Sequence, residues 1–286
     1  MNEVEIRFRK GSGMRYPGGK SWKKIAACMG LFFLTPILSG MLFHLVQVKE
    51  QPSLEQNREQ FREMKVAAER LAGYGEWGEG DYERLARDYM YHQGEIKKED
   101  ESVPVFSWYG ILAPHDTIKE YARAFQSILA DTKCFPVDRA NKGRENVYFQ
   151  DSWGNSRNYG GKRVHEGTDI MTTNNVRGYF PIVSVSDGVV EKRGWLTLGG
   201  YRIGVRSPKG TYFYYAHLER YEKDTEEGSR VKAGQILGYM GDSGYGPEGT
   251  VGKFDVHLHF GIYTKIAGKE VSINPYEILR LLEESY

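Results

Sequence analysis

The chain has 286 residues, enough for one large or two modest domains, and its 39 Lys and Arg nearly balance its 38 Asp and Glu. A formal net charge of +1 gives no global attraction to nucleic acid, so no such partner is expected. Two cysteines, Cys28 and Cys134, are too few for a disulfide scaffold or a zinc–cysteine cluster, so any metal must be held by His and carboxylate side chains.

Residues 1–24 carry Arg7, Arg9, Lys10, Arg15, Lys20, Lys23 and Lys24 against Glu3 and Glu5, and read as a basic cytoplasmic tail. Residues 25–48 are almost uncharged and long enough to cross a bilayer core of about 30 Å. A single membrane-spanning helix is expected there, with everything beyond Lys49 outside. The run is longer than a signal-peptide core and no small-residue cleavage site follows it, which favours an uncleaved anchor.

Residues 49–133 read as a helical stalk or regulatory region. Ser53 and Gln56 have capping-box spacing, and Leu54, Phe61, Met64, Ala68 and Leu71 follow a three-four rhythm. Fewer than three heptads stand behind it, so a helix packed on a neighbour or a juxtamembrane stalk is preferred to a weak dimeric coiled coil. After a Gly-rich break, Tyr82, Leu85, Ala86, Tyr89 and Met90 share one face of a second helix. Thr117 and Glu120 have the spacing to open a third, with Ile118, Tyr121, Ala122, Phe125, Ile128 and Leu129 apolar. His92 and His115 have no partner at ligand spacing.

From about Cys134 the helical rhythm gives way to short alternating runs cut by Gly, Asn and Asp turns, the signature of an antiparallel β domain over 134–286. Strands are expected near 182–185, 188–192, 202–206, 211–217, 236–240 and 255–263. Asn274-Pro275-Tyr276-Glu277 supplies an N-cap, a first-turn proline and an acid to open a closing helix.

The 255–263 segment is the most informative. Val256, Leu258, Phe260 and Ile262 alternate with Asp255, His257, His259 and Tyr263, the period of a half-buried strand, so the two imidazoles share a face. Successive residues of one face lie roughly 7 Å apart, a spacing that suits one ligand and one neighbouring base better than two ligands of one ion. Upstream, His165 and Asp169 lie four apart around Gly167, a residue able to bend the backbone so that both reach one ion. His165, Asp169 and His259 make a two-histidine, one-carboxylate set that leaves a fourth tetrahedral position for water, as in catalytic zinc sites. Asp255 stays open as a ligand on spacing alone, but it is the poorer one. His217, after Phe213 and Tyr215, reads as a strand-end residue on an aromatic face.

His165-x-x-x-Asp169, Tyr215-Ala216-His217-Leu218 and His257-Leu258-His259, in that order, resemble the three signatures of the lysostaphin/LytM-type zinc endopeptidases of bacterial peptidoglycan. The likeness runs from about Phe135 to Pro275. It implies a mainly β, antiparallel metallopeptidase domain of the duplicated-hybrid-motif kind. It also implies one zinc on His165, Asp169 and His259, with His217 and His257 catalytic. Peptidoglycan peptides are the implied substrate; taken with the anchor expected over 25–48, the expected location is the bacterial cell membrane with the C-terminal domain extracytoplasmic. An envelope protein partner or a weak dimer through the stalk is also allowed for. Two rivals follow from the same residues. Gly241-Asp242-Ser243-Gly244 with Ala216-His217 mimics a serine protease, but the pair is too close in sequence for that fold. The other is a non-catalytic envelope or sporulation scaffold that binds through the same groove; retention of all five polar positions speaks against it.

Overall fold

The computed structural model describes residues 29–30, 32, 34–42, 52–73, 77–104, 114–140, 144–158 and 161–284. The chain divides into two units, 1–49 and 50–286. Most of the span expected over 25–48 lies outside the described residues; those within it are helical. Among the described residues no helix is long and apolar enough to cross a membrane.

The second unit is built on an antiparallel sheet whose spine is β11 (His257–Ile266). One edge of β11 pairs with β8 (Tyr212–Tyr221). Its other edge is shared: the first half pairs with β4 (Thr168–Thr172) and the second with β12 (Lys269–Ile273). Beyond β8 the order continues through β7 (Gly200–Arg206), β6 (Gly188–Leu196) and β9 (Arg230–Val231), and β1 (Val147–Phe149) closes the other side on β4. β10 (Ile236–Met240) joins β8 to β5 (Pro181–Val183), and β2 (Ser156–Arg157) with β3 (Arg163–Val164) forms a separate hairpin. The alternation read from sequence is realised in β11: Leu258, Phe260 and Ile262 are fully buried while His257 and His259 line the opposite face.

The helical region packs on the sheet. Leu54, Phe61, Met64, Tyr89, Tyr121 and Phe125 belong to the same buried cluster as Phe213, Tyr215, Phe260 and Ile262 of the sheet. Phe61 meets Phe125 edge-on at 5.0 Å and Tyr89 and Tyr121 at 5.8 Å each. The single helix expected after Ser53 is instead α1 (Arg58–Arg62) and α2 (Ala68–Ala72). Met64 adopts a left-handed backbone (φ +47°) and Val66 pairs with Ile96 as a parallel bridge, so the chain turns between them. Both short helices bury residues on one side, which is why the rhythm survives the break. Ser53 and Gln56 do form the reciprocal bonds their spacing predicts: Ser53 N–H donates to Gln56 Oε1 (2.9 Å) and Gln56 N–H to Ser53 Oγ (3.2 Å).

The second expected helix is α3 (Glu79–Tyr91). The third, α4 (His115–Leu129), begins two residues before Thr117, so Thr117 and Glu120 lie within it. Glu120 is used elsewhere, accepting the Leu54 N–H at 3.2 Å. Helix α4 is tied to the sheet where Ser127 Oγ meets Thr264 Oγ1 at 2.8 Å. At the end of the chain α5 (Tyr276–Glu284) starts as predicted, with Asn274 Oδ1 accepting the Tyr276 N–H at 3.0 Å. Glu277 then accepts the Ala68 N–H at 2.9 Å, joining α5 to α2.

Candidate active site

On the polar face of the sheet lies a cleft of about 910 Å³. Tyr212, Tyr214 and Tyr263 contribute from the strands, Arg157 and Arg163 from the β2–β3 hairpin, and Tyr245 and Phe254 from the loop before β11. No described residue of 50–133 lines it. All five histidine and aspartate positions singled out from the sequence do: His165, Asp169, His217, His257 and His259.

Asp169 and His259 are brought together by the ladder itself, as direct partners across β4 and β11. His165 arrives from the turn before β4. Gly167 in that turn is needed for room: a Cβ there would sit 2.7 Å from His259 Nε2 and 2.6 Å from the Phe260 carbonyl oxygen. His165 Nε2 lies 2.8 Å from His259 Nδ1 and 3.0 Å from Asp169 Oδ1, and His259 Nδ1 lies 3.0 Å from that same oxygen.

The protons decide what this cluster suits. His165 Nδ1 is 2.8 Å from the Ser152 carbonyl, which can only accept, so this nitrogen carries the hydrogen and Nε2 of the neutral ring presents a lone pair. That lone pair points at a carboxylate oxygen and at a second ring nitrogen. One proton at most, on His259 Nδ1, is available between three acceptors in the neutral cluster, and a cation at their meeting point satisfies all three. The donor set, two imidazole nitrogens and a carboxylate oxygen all within 4.8 Å of one another, fits zinc. Ser152 fixes the tautomer of His165, and Arg157 Nη2 holds the outer oxygen of Asp169 at 2.6 Å, leaving the inner one for the cluster. Burial pushes the Asp169 carboxyl up, but the imidazoles of His165, His259 and His257 gathered around it outweigh that and hold the group far below the usual carboxylate range. Burial lowers the His259 pKa, with Asp169 opposing.

Asp255 takes no part. It is exposed, its carboxylate accepts from Asn175 Nδ2 at 3.2 Å, and it serves the site only through its backbone carbonyl, 2.7 Å from His257 Nδ1.

His217 reaches the site against the alternation of its strand. Phe213 and Tyr215 are fully buried in the core, and continuation of that face would carry His217 with them. Instead Tyr201 pairs with Leu218 and Ile203 with Tyr215, so two residues, Ala216 and His217, oppose one on β7. The bulge puts His217 at φ +63° and turns its ring into the cleft. There it lies 4.7 Å from the His257 ring and 4.6 Å from the Phe254 ring, centroid to centroid. Its Nδ1 faces the Ser243 carbonyl at 2.8 Å, which leaves Nε2 as a lone pair when the ring is neutral. Burial, then the neighbouring His257 and His259, push its pKa well below the ordinary histidine value.

Ser243 itself is no nucleophile. It is fully buried, and its hydroxyl donates to the Leu218 carbonyl at 2.6 Å and accepts the Tyr201 N–H at 3.0 Å. The sequence reading missed Arg157, Ser152 and the aromatic wall of Tyr245 and Phe254. Only the run of Tyr212, Phe213, Tyr214 and Tyr215, with aromatics on both faces of one strand, hinted that the polar face was also occupied.

An antiparallel sheet carrying two imidazoles and a carboxylate at the floor of an aromatic cleft, with two more imidazoles beside them, defines a metallohydrolase-type centre. The chain belongs to peptidase family M23, zinc metallopeptidases acting on peptidoglycan; the family model matches residues 163–275. A crystal structure from Ruminococcus gnavus that carries the provisional name glycyl-glycine endopeptidase LytM is 41% identical, covers 81% of this chain and 96% of its own, and superposes with a TM-score of 0.68. The L-Ala–D-Glu endopeptidase of Bacillus subtilis (strain 168) is 44% identical over 140 residues, 49% of this chain and 42% of the relative. Lysostaphin of Staphylococcus simulans is 35% identical over 99 residues, 34% of this chain and 17% of the relative. The match thus spans less than half the length of these curated relatives.

Proposed function

We propose that the protein is a zinc endopeptidase that hydrolyses peptide bonds in the stem or cross-bridge of bacterial peptidoglycan. The observation that carries this reading is the convergence of His165 Nε2, His259 Nδ1 and Asp169 Oδ1 at 2.8–3.0 Å beside two further imidazoles. His165, Asp169 and His259 would hold the ion. A zinc so held supplies Lewis acidity, making water nucleophilic near neutral pH and polarising the scissile carbonyl.

The chain's own groups handle the protons. His217 and His257 each direct Nδ1 at a backbone carbonyl, so each neutral ring offers its Nε2 lone pair. Burial keeps His217 neutral at neutral pH, so it enters the reaction as a proton acceptor and cannot donate to an oxyanion until it has taken a proton. One of the two rings takes the proton of the attacking water at Nε2, and the imidazolium so formed returns it to the leaving amine. Phe254 and Tyr245 pack against His217 and limit water on that side.

The B. subtilis relative is named for an L-Ala–D-Glu bond and the R. gnavus structure for a glycyl-glycine bond, so stem peptides and glycine bridges are the substrates to offer first. Membrane anchoring through 25–48, with the catalytic unit outside, is part of the proposal. The nearly uncharged composition of that run supports it, as do the exposed apolar side chains of Phe32, Leu34, Ile37, Leu38 and Leu42.

The test is digestion of purified peptidoglycan with mass spectrometry of the products, with and without phenanthroline and with zinc added back. New amino termini that vanish on chelation and return with zinc support the reading. No release under any of these conditions, with intact binding to the polymer, would assign the protein to the scaffold class instead.

A further inference from the structure

On β7, Ile203 and Val205 are buried in the core and Arg202 lines the cleft on the opposite face. Because the β7–β8 ladder slips here, Arg202 faces the bulge formed by Ala216 and His217. Ala216 pairs with His259, and His259 with Asp169. Asp169, His259, Ala216 and Arg202 therefore form one row across four adjacent strands. Two interstrand steps separate the backbones of His259 and Arg202, roughly 10 Å.

The other charges around the cleft are matched where they stand. Arg157 is bound to Asp169, Glu166 meets Arg62 at 3.4 Å, and Glu270 meets Arg206 at 2.6 Å. Arg163 donates to the Tyr245 hydroxyl at 3.1 Å. Arg206, two pleats along the same strand, is gripped by both Glu191 and Glu270. Arg202 has no ion-pair partner among the described residues, and its Nη1 is buried with no hydrogen-bond partner. A buried guanidinium N–H left unpaired is costly, and its planar fork matches a carboxylate. Neighbouring strands supply acids to Arg206 and, among the described residues, none to Arg202, whose side chain lines the cleft.

The geometry points to Arg202 as the residue that reads a free carboxylate on the substrate, carried within about two residues of the scissile bond. This rests on the endopeptidase reading above and narrows it to an acidic peptide rather than an uncharged glycine bridge. The span from His259 is about three residues of extended chain at roughly 3.3 Å each, and the arginine side chain covers part of it.

Two peptides of one sequence, bearing at that position a free carboxylate or its carboxamide, are given to the zinc-loaded full chain and to its Arg202→Gln and Arg202→Lys variants. A charge-assisted pair lost from a partly buried site changes kcat/KM on the order of 10- to 100-fold. The wild type is expected to favour the acid by that factor. Arg202→Gln should bring the ratio near one by slowing the acid peptide, and Arg202→Lys, which keeps the charge but not the fork, should fall between. Arg202→Lys also serves if the Gln variant does not fold. Where the peptides are cleaved, equal rates for acid and amide in the wild type, or a ratio unmoved by either variant, overturn the assignment. Calorimetric binding of both peptides to chelator-treated protein separates the two proposals. Tighter binding of the acid that is lost in Arg202→Gln upholds Arg202 even if nothing is cleaved, in which case only the endopeptidase reading fails. Equal binding overturns Arg202 even if both peptides are cleaved.

Discussion

His217 and His257 lie on adjacent, oppositely directed strands with ring centroids 4.7 Å apart, His217 being turned into the cleft at a bulge where its backbone is left-handed. Neither ring belongs to the trio of converging donor atoms, which are those of His165, Asp169 and His259. The two groups should therefore separate by substitution. Replacing His217 or His257 by Ala should leave one zinc per chain and lower turnover by roughly 10²- to 10⁴-fold, the size of a lost acid–base group. Replacing His165, Asp169 or His259 should release the metal. Atomic absorption on the purified variants reads this directly, and a His257→Ala protein that loses zinc while His259→Ala keeps it would falsify the ligand assignment.

Gly167→Ala tests the turn that delivers His165. The added methyl meets the His259 ring at 2.7 Å and the Phe260 carbonyl at 2.6 Å, and neither is the free end of a flexible chain. The ring must tilt or the β4–β11 ladder must open. We expect zinc affinity to fall roughly 10- to 100-fold, as for loss of a group that orients a ligand. Stability should fall by about 1–3 kcal/mol, the usual cost of overpacking. Competition with a chromogenic chelator and denaturant melts of the metal-free protein measure the two effects separately; an unchanged zinc constant would show that the ring has room to move.

What the sequence revealed and what it hid divide along physical lines. In β11 the alternation is unbroken, one face is fully buried, and His257 and His259 could be assigned to the other by counting. In β8 the same counting puts His217 on the core face, because the bulge at Ala216 and His217 resets the parity and nothing in the local residue types announces it. The helices were legible as helices, but their destination was not. Arg62 Nε donates to the Ser272 carbonyl at 3.0 Å across 210 residues, and Asn274 N–H returns to the Arg62 carbonyl at 2.7 Å. Contacts of that separation leave no periodic trace. Arg157 was hidden for a related reason: β2 and β3 have two residues each, too short for any alternation to show.

Cys134 offers a pH-dependent readout of the junction between α4 and the sheet. Burial pushes its thiol up, the Gly234 backbone and Lys133 opposing more weakly, and Sγ donates to the Ser184 carbonyl at 3.2 Å. A raised thiol pKa means that the folded state holds this proton more tightly than the unfolded chain. The associated stability is present below the unfolded thiol's pKa and is lost as pH rises through the folded one. Since the thiolate is the reactive form, labelling by a disulfide reagent in a Cys28→Ser background should be slow at pH 7, accelerate in alkali and become immediate in urea. Rapid labelling of the folded protein at pH 7 would mean that this junction opens freely.

Removing residues 1–133 distinguishes a covering segment from a structural one. If the helical region masked the cleft, its removal would raise activity; yet no described residue of 50–133 lines the cleft, and Phe61, Tyr89 and Phe125 are fully buried in the cluster that includes Phe213 and Phe260. Phe125 packs on Phe61 and Tyr89, and a Phe125→Ala change alone should cost about 3–5 kcal/mol. That is a large part of the roughly 5–15 kcal/mol available to a folded domain. Truncation strips α1 to α4 from the sheet and leaves Ser127's partner, Thr264, facing solvent. The shortened chain is therefore expected to be poorly soluble or to unfold at much lower denaturant than the 50–286 unit. Recovery of a soluble 134–286 fragment with a cooperative melt and undiminished zinc binding would show that the sheet closes its core without the helices.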